Sequence, residues 1–304
     1  MTAMNVLLRA GRLAALACLL AVAACAAPGG GSRSTTAPGA NVAQLPPLPT
    51  SGCGIPAAEG TQTLKFQGAS WRYIVDLPSG YDKSRPTRLI LAFHGRTGTA
   101  EKVKTYFDLE GSTARPAIVV YPQAQGGWGG RADRDMAYVD TLLARLKATL
   151  CVDQNQIFAA GHSMGGSFVN DLSCGRAGVF RATAVVAGGI GSVRPCQGEV
   201  AAILLHNPKD NMVPYSQGIT ERDKRIAQNR LAATPVEADA AFRCKRWGKT
   251  GIADPVVFCD LPSTFNRKRP YSHGWPDGTG PTIIGFFDRV TDQRIQLTER
   301  PPAP

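Results

Sequence analysis

Five apolar runs constrain this chain more than anything else in it. "RLILAFHG" (88–95), "AIVVYPQ", "QIFAAG" (156–161), "ATAVVAGG" (182–189) and "VAAILLHN" (200–207) are apolar at successive positions rather than alternate ones. A strand with one wet face alternates in polarity, so a continuously apolar strand must be covered on both faces, as in a central parallel sheet. Helical patterns lie between them. From about Asp135 to Leu150, Met136, Val139, Leu142, Leu143, Leu146 and Leu150 recur on one face. "MGGSFVNDLSC" (164–174) starts a helix that Gly175 can end, 216–233 is helical, and 280–290 is a last helix. "WRYIVDLP" (71–78) alternates and predicts an early antiparallel strand, and 255–262 a last strand. Strands and helices in alternation predict an α/β fold: a mostly parallel central sheet with helices on both faces and a ligand site beyond the carboxyl ends of the strands.

The first 25 residues read as a targeting segment. Arg9 and Arg12 precede an apolar run, Leu13 to Ala24, that is shorter than the roughly 20 residues a membrane-spanning helix needs. The run ends Val22-Ala23-Ala24-Cys25, which resembles a bacterial lipobox and makes Cys25 a candidate acylation site and lipid anchor. Residues 26–50, rich in Gly, Pro, Ala and Ser, are expected to be a flexible tether. Residues 51–304 are long enough for one domain with a sizeable core. Setting aside Cys18 and Cys25, six cysteines remain, and an even number in an exported chain predicts disulfides. Proximity and elimination pair Cys244 with Cys259, Cys174 with Cys196, and Cys53 with Cys151. No C-x-x-C pair occurs, which speaks against a zinc site. The formal charge of +11 includes basic clusters at 222–225, 243–249 and 266–270. In an exported protein these read as a solvated surface with attraction to acidic polysaccharide or an anionic envelope, and not as a nucleic-acid interface.

Chemistry is concentrated in Gly161-His162-Ser163-Met164-Gly165, a G-x-S-x-G pattern between a strand and a helix. That context makes Ser163 a candidate nucleophile on a strained turn, with the helix start aiming N–H groups at a developing oxyanion. A serine nucleophile needs a base, and the chain has four histidines: His94, His162, His206 and His273. His162 adjoins the serine and should point elsewhere. His94 ends a strand and is placed to shape the next loop. His206 ends a strand as a core or supporting residue, while His273, in the loop "YSHGWPDG" after the last strand, is the expected base. Asp210, after "VAAILLHN", is the expected acid, with Asp260 as competitor; the order Ser163, Asp210, His273 is that of α/β-hydrolases. The oxyanion donors are expected to be the N–H of Met164 and that of Arg96, with Thr97 second, in the loop "GRTGT". Trp128, Trp275 and His94 are candidate substrate contacts, with structural packing as the alternative for both tryptophans.

With these residues in place the chain resembles the secreted feruloyl esterases and polyhydroxybutyrate depolymerase-like esterases. The resemblance rests on "SGCG", "LPSGYDKSRPTRLILAFHG", "DMAYVDTLLARL", "LCVDQNQIFAAGHSMGG", "CGRAGVFRATAVVAGG", "HNPKDNMVPYSQG" and "SHGWPDG", in that order. It implies an α/β-hydrolase fold, no metal or organic cofactor, an ester substrate linked to polysaccharide or polyester, and a triad on Ser163, Asp210 and His273. Departures at Arg96-Thr97, at Ser272 and in "HNPKDN" touch the rim of the site and bear on the substrate. The competing expectations are a serine peptidase of the same fold and an envelope lipoprotein that binds glycan without turnover.

Overall fold

The apolar runs become the middle of a sheet. The structure, a computed structural model, describes residues 46–193, 195–239, 242–248, 254–266 and 269–293. In chain order the elements are β1 (Gly60–Phe66), β2 (Ala69–Asp76), β3 (Thr87–Phe93), α1 (Ala100–Phe107), β4 (Ala117–Pro122), α2 (Ala132–Thr149), β5 (Val152–His162), α3 (Met164–Gly175), β6 (Ala182–Val186), β7 (Ala201–His206), α4 (Tyr215–Gln228), β8 (Val236–Asp239), β9 (Cys244–Trp247), β10 (Val256–Asp260), β11 (Thr264–Asn266), β12 (Arg269–Tyr271) and α5 (Thr279–Gln293). Among the described residues, ten strands form one sheet in the order β1-β2-β4-β3-β5-β6-β7-β10-β9-β8, and β11 and β12 form a separate ribbon. From β4 to β10 the pairing is parallel throughout. Antiparallel pairs close both ends, β1–β2–β4 on one side and β10–β9–β8 on the other.

Each central strand feeds two cores. In β3, Leu89, Leu91 and Phe93 join a cluster that includes Leu142 and Leu146 of α2 and Phe168 and Leu172 of α3. Ile90 and Ala92 point the other way, toward Val103 and Phe107 of α1 and Ile283, Phe286 and Phe287 of α5. Side chains of this size contribute about 1.5–3 kcal/mol each when fully buried, so a polar residue on either face of these strands would be costly. That is the physical reason the runs are almost continuously apolar.

Where the structure departs from the sequence pattern, the elements are short or at an edge. α1 spans only two turns and is set by Thr99, whose side chain accepts from the Lys102 N–H. β8, β9, β11 and β12 have three or four residues each, so the run at 255–262 is not the last strand. The helix expected over 216–233 stops at Gln228. There the Asn229 side chain turns into the sheet, accepting from Val200 N–H and donating to the Val200 and Asp254 carbonyls.

The folded body also begins earlier than Ser51. The tether expected up to residue 50 is, from Pro46 onward, a strap against the amino end of β5. Pro49 bridges Asp153, Thr50 is buried, and Thr50 Oγ1 donates to Leu150 O at 2.6 Å and accepts from Val152 N–H at 3.0 Å. The targeting segment, Cys25, the tether up to residue 45, Lys249, and Arg267 and Lys268 of the basic runs lie outside the described residues.

Three disulfides join Cys53 to Cys151, Cys174 to Cys196 and Cys244 to Cys259. The first spans 98 residues and fastens the strap to the turn between α2 and β5. A cross-link over so long a loop removes much denatured-state entropy, so a Cys53→Ser/Cys151→Ser double variant should lose about 2–5 kcal/mol of stability. Urea midpoints of the two proteins measure it; an unchanged midpoint would mean the strap's hydrogen bonds suffice alone.

Candidate active site

The parallel strands end together along one edge, and the loops leaving β3, β5, β7 and the β11–β12 ribbon meet there. Ser163 follows β5 with φ 56° and ψ −122°, a conformation that L-residues rarely adopt and that lifts its hydroxyl off the turn. Two glycines permit it. A Cβ on Gly161 would lie 2.5 Å from the Gly165 carbonyl oxygen, and one on Gly165 would lie 2.3 Å from the Phe93 carbonyl oxygen. The turn is pinned to the neighbouring strand by Ser163 N–H donating to Val186 O at 2.9 Å.

Ser163 Oγ lies 2.8 Å from His273 Nε2, and His273 Nδ1 lies 2.8 Å from Asp210 Oδ2. The carboxylate can only accept, so Nδ1 carries the ring proton and Nε2 is left to accept from the serine hydroxyl. The other carboxylate oxygen, Asp210 Oδ1, accepts from the N–H groups of Met212 and Val213 at 2.9 and 3.0 Å. Burial alone would raise the Asp210 carboxyl. Hydrogen bonds from His206, His273 and these two amides outweigh it and hold the group well below the usual carboxylate range. Asp260, the competitor, is engaged elsewhere: the Tyr215 hydroxyl donates to it at 2.5 Å and Arg243 lies 3.4 Å away.

The remaining histidines support this group. His162 Nε2 donates to the His273 carbonyl oxygen at 3.1 Å, holding the loop that presents the imidazole. Burial, reinforced by the neighbouring His273 ring, pushes His162 down to about 3, so it stays a neutral donor. His206 Nε2 donates to Val213 O at 2.9 Å and lies 3.2 Å from Asp210 Oδ2. The role of His162 cannot be read from spacing, because it runs through a backbone carbonyl 111 residues away, while His206 acts within its own loop on Val213 O and Asp210. His94 is not a substrate contact. It is buried, with Nδ1 donating to Gly95 O at 2.7 Å and Nε2 accepting from Ala124 N–H at 3.0 Å. It shapes the loop after β3, as its place at the strand end suggests, and burial keeps its pKa lowered.

A cavity of about 830 Å³ opens at Ser163 and His273, within the range of small-molecule sites. Arg96 and Met164 line it. The Met164 N–H belongs to the first turn of α3, where amides have no acceptor within the helix. Arg96 sits in a turn closed by Gly98 N–H donating to Gly95 O at 3.0 Å. Trp128 lines the cavity as part of its floor, stacked on Phe168 at 5.3 Å and 9°. Trp275 does not line it: the indole stacks on Phe107 at 3.8 Å and is a packing residue. Sequence reasoning missed Tyr106 on α1, Asp171 on α3, and Met212 and Tyr271, which complete the walls. Among the described residues no group of three or more His, Cys, Asp or Glu is arranged to hold a metal ion, and no helix is long and apolar enough to cross a membrane.

No family model matches the chain. Curated relatives do. It is 30% identical over 198 residues to feruloyl esterase C of Emericella nidulans, covering 61% of this chain and 73% of that one. It is 32% identical over 242 residues to a probable feruloyl esterase C of Aspergillus terreus, covering 76% of this chain and 86% of that one. The chain belongs to the feruloyl esterase family. This esterase shares its fold with solved structures of low identity. An acetyl xylan esterase from Aspergillus awamori superposes with a TM-score of 0.58 at 14% identity, over 75% of this chain and 99% of that one. A ferulic acid esterase from Anaeromyces mucronatus gives 0.52 at 11% identity, over 78% and 89%. The fold is the α/β-hydrolase fold, and the esterase is a serine hydrolase acting on carboxylic ester bonds.

Proposed function

We propose that this esterase is exported and cleaves hydroxycinnamoyl or acetyl esters carried on polysaccharide, using Ser163, His273 and Asp210. The observation that carries the reading is the continuous line of hydrogen bonds from Ser163 Oγ through His273 to Asp210, 2.8 Å at each step, on the wall of a cavity. In the first half-reaction Ser163 Oγ bonds to the ester carbonyl carbon while His273 Nε2 takes its proton. The Asp210 carboxylate holds the imidazolium that forms. The N–H groups of Met164 and Arg96 donate to the oxyanion, each such donor contributing on the order of 2.7–4 kcal/mol in the transition state. Collapse breaks the carbon–oxygen bond to the alcohol, which leaves with the proton from His273. Water then attacks the acyl-enzyme by the same route, releasing the acid and restoring the serine.

Three disulfides support export, since such bonds persist in oxidising compartments. The reading extends to acylation of Cys25, for which mass spectrometry of the mature N-terminus is the direct measurement. The named relatives favour a feruloyl ester, and the aromatic floor at Trp128 and Phe168 suits one. Two measurements test the whole. A fluorophosphonate probe should label native enzyme stoichiometrically and leave Ser163→Ala unlabelled. Methyl ferulate should be turned over faster than hydroxybutyrate oligomers, with acetylated xylan as the third member of the panel. Labelling that survives Ser163→Ala would move the nucleophile elsewhere, and a preference for the hydroxybutyrate oligomers would replace the substrate class.

A further inference from the structure

One carboxylate in the cavity has no part in the reaction. Asp171 lies on α3 and is 3% exposed. Its Oδ1 is fully committed, accepting from Ser192 N–H, from Ser192 Oγ at 3.1 Å and from Val193 N–H at 2.9 Å. Its Oδ2 has no hydrogen-bond partner among the described residues, yet the side chain lines the cavity. This oxygen is directed past Gly129, where an added Cβ would stand 3.8 Å from it. It is not among the sealed-off unpartnered atoms of the described residues, so it opens onto the cavity, where a carboxylate oxygen can accept a hydrogen bond from a donor on a bound substrate.

The position says what it binds. Ser167 and Asp171 lie one turn apart on the same side of α3, Ser163 stands at its N-terminus, and all three line the cavity. Eight residues of helix separate the first from the last, about 12 Å along the axis. The sides of this channel are apolar, with Trp128, Phe168 and Ile190 among them. An extended 4-hydroxycinnamoyl group measures about 8 Å from carbonyl carbon to phenolic oxygen at ordinary covalent bond lengths. Adding about 3 Å for the approach of the nucleophile brings the phenol to the Asp171 end of the cavity. An acetyl group would leave that end empty.

We infer that Asp171 is a specificity-determining residue, whose Oδ2 accepts a hydrogen bond from the 4-hydroxyl of a hydroxycinnamoyl group seated along α3. The inference rests on the proposed hydroxycinnamoyl esterase reading. The test compares methyl 4-hydroxycinnamate with methyl cinnamate, which differ only in that hydroxyl. Native enzyme should prefer the hydroxylated ester in kcat/KM by at least about tenfold, the range of a hydrogen bond to a charged group. In Asp171→Asn, whose carbonyl can still serve Ser192 and Val193, the amide facing the cavity can only donate, a weaker neutral hydrogen bond, so the preference should fall at least about threefold, mainly through KM. Thermal melts and fluorophosphonate titration confirm that the variant is folded. As a second readout, Ser163→Ala should bind 4-hydroxycinnamamide more tightly than cinnamamide. Equal turnover of the two esters by native enzyme, or a preference kept in Asp171→Asn, overturns the role of Asp171 while leaving the esterase reading intact. A native enzyme that labels at Ser163 but turns over neither ester overturns the hydroxycinnamoyl reading, and this inference with it.

Discussion

Ser163→Ala should lower kcat on every ester by about a millionfold, the cost typical of deleting the nucleophile from a serine triad. The fold should be little affected. The substitution removes one hydrogen bond, to His273 Nε2, with a net contribution of about 1 kcal/mol. The positive φ at this position is held by Gly161, Gly165 and the bond to Val186, not by the hydroxyl. Steady-state kinetics with an aryl ester, read beside a thermal melt, separate the two effects. A variant that keeps more than about a hundredth of the activity would mean that water is activated without the serine, and the acyl-enzyme route would have to be abandoned.

Asp210→Asn should cost about 10⁴-fold in kcat, and the structure supplies the reason. The amide oxygen would keep accepting from Met212 and Val213, so the NH₂ group must face His273 Nδ1 and His206 Nε2. His273 would then accept at Nδ1 and carry its proton on Nε2, the wrong tautomer to receive the serine's proton. His206, already donating to Val213, would meet a second donor. In native enzyme the depressed carboxyl also has a consequence for pH. A group whose folded pKa lies below its unfolded value stabilises the fold above the unfolded pKa, and loses that contribution as pH falls through the folded one. Native enzyme should therefore lose stability relative to Asp210→Asn on acidification below the usual carboxylate range. Melting temperatures at neutral and acidic pH measure the gap; a gap independent of pH would mean that the carboxylate is not held by these donors.

How much of this was legible in the sequence follows from how local each signal is. The elbow is readable because Gly161, Ser163 and Gly165 act within five residues and sit between a continuous apolar strand and a helix. The central sheet is readable because double-sided burial keeps 89–93 and 201–205 apolar, with the buried polar residues Arg88 and His206 at the strand ends. The helix carrying Tyr106 is too short to show a period, and its start depends on a single threonine. Asp171 is hidden inside a helix whose pattern explains it as one more polar residue; its burial and its place on the cavity wall, which separate it from a surface aspartate, show only in three dimensions. For Trp275 the sequence left a pocket wall and structural packing both open; the ring stacks on Phe107, a contact between residues 168 positions apart that spacing cannot show. His162 acts through the carbonyl of His273, and a backbone atom leaves no trace in a sequence.

The strap at Pro46–Thr50 is bound to the opposite end of β5 from Ser163. An eleven-residue strand is about 35 Å long, so the two ends lie most of a domain diameter apart. Anything grafted upstream of Pro46, whether a bead, a carrier protein or an acyl chain, therefore joins the molecule at its back. Immobilised at that residue, the esterase would turn its mouth away from the support and toward the solution.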